Sequence, residues 1–239
     1  MPSHLCELLV RYGHEAYVNC ANLDYFDVTV VLGLWHVREE LMDNKIVLYG
    51  CGSDVWDNPK LDAAIPFLET ADLVLYGHPE MAGRTGVYGR YWQLPVDTSK
   101  FFDISSLLKP TQKRDTVIYC PSPGTYKLHA VMQYVEDNPK EKITILGGAL
   151  QDIWMEDMPE NVLSVRSVPY DCMRQLYYNH KKSMKWVSHK ATPFSKMDVE
   201  AMLCGCRAYS NGAEIKKFPD TMLDSWAIPE LIRMLKNIG

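Results

Sequence analysis

The sequence predicts an α/β protein folded in two halves, each around a mostly parallel sheet. Three observations carry that reading. Short runs rich in Val, Ile, Leu and Tyr recur along the chain, several apolar without alternation, as in strands covered on both faces. Helical periodicity falls between them, and alternating strand and helix implies right-handed crossovers. Phe102 to Lys113 (FDISSLLKPTQK) carries turn formers, Pro110 and a small basic cluster of Lys109, Lys113 and the adjacent Arg114, and is read as the break between halves.

The elements follow in order. Leu5, Leu8, Leu9 and Tyr12 have the spacing of one helix face, and Gly13 suits a C-cap. Strands are expected at Glu15 to Cys20, Val28 to Leu32, Lys45 to Tyr49 and Asp72 to Tyr76. Beyond the break come a strand at Thr116 to Cys120, a helix at Tyr126 to Val135, and strands at Ile143 to Leu146 and Val162 to Val165. A helix at Asp171 to Tyr178 precedes a strand at Met184 to Val187. A further helix, Asp198 to Leu203, has acids in its first turn and Gly205 at its end. The strand Arg207 to Ser210 and a helix at Trp226 to Ile238 complete the chain.

Composition sets limits. The chain has 239 residues, 47% hydrophobic and 23% charged, as in packed globular proteins. It has no apolar run of the roughly 20 residues needed to span a bilayer and no basic-then-apolar leader, so a cytoplasmic protein is expected. A net charge of -5 argues against a protein whose main task is gripping nucleic acid. Seven scattered cysteines suggest free thiols in a reducing compartment. Cys204 and Cys206 read as small buried hydrophobes at a helix end, and no metal site is expected.

Ligands of open parallel sheets bind beyond the carboxyl ends of strands, so the loops there hold the candidate chemistry. After TVIYC, the loop Cys120 to Lys127 contains Ser122 and Gly124 and leads into a helix; its exposed N–H groups and Lys127, one turn in, suit a diphosphate. The alternative is an ordinary connection with a solvated lysine. After MKWV, the loop runs from Ser188 through His189, Lys190, Ala191, Thr192, Pro193, Phe194, Ser195, Lys196 and Met197 to a helix bearing Glu200. A carboxylate there suits ribose or sugar hydroxyls; the alternative is an acid that caps the first turn. After KIVLY, Gly50-Cys51-Gly52-Ser53-Asp54 is a small-residue turn that a ligand can approach. The stretch His180 to Trp186 is basic, and is read either as a solvated turn or as a contact for phosphate backbones or anionic membranes. Trp35-His36 ends VTVVLGL, where His36 is a candidate contact for acceptor or sugar; Trp56, Trp92 and Trp154 either line a sugar site or pack.

Taken together, these segments resemble the group 1 family of GT-B-fold glycosyltransferases. Thr192 to Gly212 (TPFSKMDVEAMLCGCRAYSNG) is similar to its "lEAMacG.pvvas..gg" signature, with Glu200-Ala201-Met202 and Cys204-Gly205 in register. Leu94 to Phe101 looks like "ipnGVDt..F", Gly52 to Val55 like "HGsDv", Asp72 to Tyr76 like "aD.vi..S", Gly13 to Val18 like "GHeV.v", and Ile145 to Gly148 like "i.G.G". The order is collinear over almost the whole chain.

The resemblance implies two Rossmann-like domains: residues 1–108 on the acceptor side, pared down and lacking the usual first strand; residues 109–225 for the nucleotide-sugar; and a helix over 226–239 crossing back to the first domain. It implies a glycosyltransferase that moves a sugar from a nucleotide diphosphate-sugar, a UDP-sugar foremost, to an acceptor hydroxyl, with retention and without a metal. Lys127 matches the phosphate-binding lysine and Glu200 the ribose-holding carboxylate. Thr192, Pro193, Phe194 and Ser195 match the loop around sugar and phosphates. Cys51 and His36 join Glu200 as catalytic candidates. The implied acceptors are a glycan, a lipid-linked sugar, or a modified base in DNA. Three positions depart from the pattern: Thr192 replaces an acid, Ser122 an arginine and Cys51 a histidine. Arg166, Lys190 or Lys196 are candidates to offset the missing arginine. The departures motivate a second expectation, a degenerate module of the same fold that binds a nucleotide or a partner protein and transfers nothing; a sugar-nucleotide epimerase ranks third.

Overall fold

The computed structural model of the chain describes residues 2–19, 26–34, 37, 45–50, 55, 58–103, 114–120, 127–148, 158–187 and 195–238. It divides into two compact units, Met1–Pro95 with Pro219–Gly239, and Val96–Phe218.

The first unit holds α1 (Pro2–Arg11), β1 (Thr29–Leu32), β2 (Ile46–Gly50), α2 (Leu61–Thr70), β3 (Leu73–Tyr76), α3 (Met81–Thr85) and β4 (Arg90–Tyr91). Its strands form a sheet in the order β1-β2-β3-β4, parallel throughout. Successive side chains of a strand face opposite ways. Accordingly Ile46, Leu48, Val74 and Tyr76 pack with Leu61, Ala64 and Leu68 of α2 and Met81 of α3. Val47, Tyr49 and Leu75 pack on the other face with Leu5 and Leu8 of α1 and with Ala227, Ile228, Leu231 and Met234 near the C-terminus. Every residue of β2 is buried, which accounts for its unbroken apolar run.

The second unit holds β5 (Arg114–Tyr119), α4 (Leu128–Asp137), β6 (Ile143–Leu146), β7 (Val162–Val165), α5 (Met173–Tyr178), β8 (His180–Lys185), α6 (Lys196–Leu203), β9 (Arg207–Ser210) and β10 (Ala213–Ile215). The last helix, α7 (Asp224–Lys236), belongs to the first unit. The second sheet runs β10-β9-β8-β5-β6-β7. All its pairs are parallel except the hairpin of β9 and β10, where Ser210 pairs with Ala213 around Asn211 and Gly212. Both turn residues have positive φ, 50° and 83°, as an Asn-Gly turn of the I′ class requires. Ile118, Cys120, Ile143, Ile145 and Met184 of the sheet pack with Val131 and Val135 of α4. From β5 the chain steps outward through β6 to β7, then returns to place β8 on the other side of β5. That reversal makes the carboxyl ends of β5 and β8 the topological switch point, where open α/β sheets bind ligands.

Three expectations are corrected. The strand expected at Glu15 to Cys20 is absent: residues 15–19 are non-strand, Tyr17 is 63% exposed, and Asn19 has φ 55°. Cys20 itself lies outside the described residues. Among the described residues no strand lies beyond β1 in the sheet order. The basic stretch from His180 is an interior strand between β5 and β9, not a turn before one, so β8 begins four residues earlier than expected and ends at Lys185. Lys127 immediately precedes α4 rather than sitting one turn inside it.

Candidate active site at the β5 and β8 strand ends

The two loops named by the sequence begin and end on anchored residues. The Lys127 N–H donates to the Trp186 carbonyl at 3.0 Å, tying the start of α4 to the chain leaving β8. The Asn211 N–H donates to the Lys185 carbonyl at 2.9 Å, and its side-chain oxygen accepts from the Val187 N–H at 3.0 Å. The αL residue of the I′ turn thus also fixes the end of β8.

The start of α6 is held just as firmly. An oxygen of Asp198 accepts from the Ser195 N–H at 2.7 Å and the Ser195 hydroxyl at 2.9 Å, closing a capping arrangement over the first turn. The same oxygen takes Lys185 Nζ at 2.5 Å, and both side chains are about 5% exposed or less. This buried pair locks α6 against the carboxyl end of β8. Asp198 is therefore the capping acid, and Glu200 is released from that explanation.

Glu200 is 2% exposed, and Tyr170 OH donates to its Oε1 at 2.9 Å. Lys196 Nζ lies 3.7 Å from the same oxygen, one helical turn back. The Tyr177 hydroxyl is buried beside the carboxylate without a hydrogen bond of ordinary geometry. Burial raises the Glu200 carboxyl to about 7, against the opposing pull of Lys196 and the two tyrosines. Lys196 is pushed the other way: desolvation lowers its ammonium, with Glu200 opposing. A carboxylate that titrates near neutrality and lies among hydrogen-bond donors can accept from a ligand's hydroxyls.

Of the other expected site residues, Arg166 follows β7 and is exposed, Lys127 is half-buried, and Ser195 caps α6. His36, Cys51, Ser122, Gly124, Lys190, Thr192, Pro193 and Phe194 lie outside the described residues. Tyr170, Tyr177, Lys185 and Asp198 join the site without having been expected there. The Ser195-x-x-Asp198 spacing was a legible capping signal; the tyrosines had none. Cys204 and Cys206 are buried, as expected. Trp92 packs: its Nε1 donates to the Ala227 carbonyl at 3.0 Å and its ring meets Tyr49 edge-on at 5.7 Å. The lysines of β8 are paired, Lys181 with Asp115 at 2.7 Å and Lys182 with Glu141 at 2.6 Å, alongside Lys185 with Asp198. Among the described residues, no three His, Cys, Asp or Glu side chains gather as metal ligands would, and no helix is long and apolar enough to cross a membrane.

No protein-family model matches the chain, and no curated protein matches it in sequence. Solved structures do match. Sucrose-phosphate synthase from Thermosynechococcus elongatus is 14% identical with a TM-score of 0.58, over 100% of this chain and 72% of that one. HepE of Anabaena, solved with UDP-glucose, is 16% identical with a TM-score of 0.56, over 81% of this chain and 63% of that one. An alpha-glucosyltransferase, solved with UDP and a 13-mer DNA containing a HMU base, is 12% identical with a TM-score of 0.53, over 79% and 61%. The chain spans 61–72% of the lengths of these three. What this likeness establishes is architecture: the chain has the α/β fold of the GT-B glycosyltransferases, with two Rossmann-like units.

Proposed function

We propose that the chain is a glycosyltransferase that takes a sugar from a UDP-sugar and passes it to an acceptor hydroxyl, with retention and without a metal. The observation that carries this reading is the pair Lys127 and Glu200, anchored at the ends of the two strands that flank the switch point. Lys127 and the N–H groups at the start of α4 offset the diphosphate charge; Glu200 accepts from the ribose hydroxyls. The bond between the sugar's anomeric carbon and the leaving phosphate breaks as the acceptor oxygen bonds that carbon. The acceptor's proton passes to a leaving-phosphate oxygen, giving the glycoside and a nucleoside diphosphate. The missing arginine at Ser122 is offset by Arg166, Lys190 or Lys196. The acceptor is a glycan, a lipid-linked sugar or a modified base in DNA.

The test is release of nucleoside diphosphate from UDP-, GDP- and ADP-sugars, with each acceptor class supplied in turn. Release from a UDP-sugar is expected. Lys127→Ala should weaken donor binding by about ten- to a hundredfold, the worth of one charge-assisted hydrogen bond. Binding without release from any donor would favour a non-catalytic nucleotide-binding module of the same fold.

A further inference from the structure

We infer that Lys196 is a positioning residue for Glu200, holding that carboxylate ionised and aimed together with Tyr170, so that donor binding strengthens as pH rises through neutrality. The inference rests on the donor reading above, and deepens it.

The three groups form a closed set. Lys196 Nζ sits 4.6 Å from the centre of the Tyr170 ring and 3.7 Å from Glu200 Oε1, and Tyr170 OH donates to that same oxygen at 2.9 Å. Phe101 meets the Tyr170 ring edge-on at 5.3 Å and fixes its plane. Lys100 Nζ lies 5.7 Å from the ring centre and is held by Asp171 at 3.1 Å. Helix stability does not explain a lysine here. It is the first residue of α6, where a cation opposes the helix dipole, and lysine N-terminal to glutamate is the weaker order for such a pair. It is also largely desolvated, with side-chain exposure of 17%. A cation held at that cost, one turn before a buried carboxylate, acts on the carboxylate.

The groups facing Glu200 are Tyr170, Tyr177 from α5, Tyr119 from β5, Lys196 from α6 and Cys204 just after it. Those facing Lys196 are Glu200, Asp97, Lys100 and the Tyr170 ring. Of these, Lys196 is the cation that draws the Glu200 carboxyl down against burial, so its removal lets the carboxyl rise further above about 7.

The experiment follows UDP binding by calorimetry from pH 6 to pH 9.5 in the native chain, Lys196→Met and Lys196→Arg. In the native chain affinity should rise by about tenfold across neutrality. In Lys196→Met the same rise should move upward by about one pH unit or more, leaving binding about tenfold weaker at pH 7 and recovered near pH 9.5. Lys196→Arg should restore the native curve. An equal loss at every pH, or a curve unmoved by Lys196→Met, overturns the proposal. The carboxyl carbon of Glu200 is titrated by NMR in the ligand-free proteins as well. If no nucleotide binds the native chain, the donor reading fails, and this titration still decides the role of Lys196: an upward move in Lys196→Met supports it, an unmoved one refutes it.

Discussion

Strands β2 and β8 both lie inside their sheets, yet they are made of opposite materials. β2 reads IVLYG and is buried end to end; β8 reads HKKSMK and carries three lysines and a histidine between β5 and β9. The first unit buries apolar area; the second spends a central strand on groups that need partners. Each finds one. The His180 ring must donate through Nδ1 to the Leu176 carbonyl at 2.6 Å, so its Nε2 accepts from the Thr144 hydroxyl at 2.8 Å. Lys182 shares Glu141 with the hydroxyls of Thr116 and Tyr134. Lys185, the last residue of the strand, holds Asp198 and with it the helix that bears Glu200. Charge in a core strand thus does two things here: at one end it closes a polar network, and at the other it holds the helix of the candidate site.

The largest effect should come from breaking that lock. Lys185→Ala strands the buried Asp198 carboxylate and should cost about 3–5 kcal/mol of unfolding free energy in denaturant titration, while Lys185→Met combined with Asp198→Leu should recover most of it. In β2, Leu48→Ala should cost about 2–5 kcal/mol through its cavity and leave donor affinity of the folded protein unchanged. A comparable donor defect in Leu48→Ala would erase the distinction between the two strands.

Glu200 gives a smaller effect of opposite sign. Its carboxyl titrates near 4.5 when unfolded and about 7 when folded, so between those values the folded state holds the extra proton. Stability from this group therefore rises as pH falls from 7 towards 4.5. Glu200→Gln should be more stable than the native chain at pH 8, by about 1–3 kcal/mol, with the gain fading below pH 5, while UDP binding weakens about tenfold or more. Thermal melts across pH check the first part and calorimetry the second. His180 pulls the other way. Burial lowers its imidazole below the usual 6.5, so the unfolded state takes up the extra proton and stability falls as pH drops below that value. The slope should be at most about 1.4 kcal/mol per pH unit, read from denaturation series between pH 6.5 and 5.5. The smallest effect belongs to the exposed pair: Lys181→Ala should cost about 0.2–1 kcal/mol and fade in salt.

The same contrast explains how much was legible in the sequence. Strands such as Ile46–Gly50 and Ile143–Leu146 announce themselves because every residue is buried and both faces are covered by apolar neighbours. The first half of β8 hides because its stability lies in Asp115 and Glu141, 66 and 41 residues from their lysines. α2 carries Pro66 in its interior, and β4 is two residues long, so local pattern marks neither. At the site, Lys127 and Glu200 stand out because each follows a strand-to-helix loop, Lys127 just before α4 and Glu200 within α6. Tyr170 reaches Glu200 across 30 residues of sequence, and no local signal encodes that approach.

The most direct test of the central claim, a UDP-sugar at the β5 and β8 strand ends, is calorimetric titration of UDP at pH 8 into the native chain, Lys127→Ala, Glu200→Gln and Leu48→Ala. Binding by the native chain and Leu48→Ala, weakened about tenfold or more in the other two, is the expected result. UDP binding that is equal in all four proteins would contradict it.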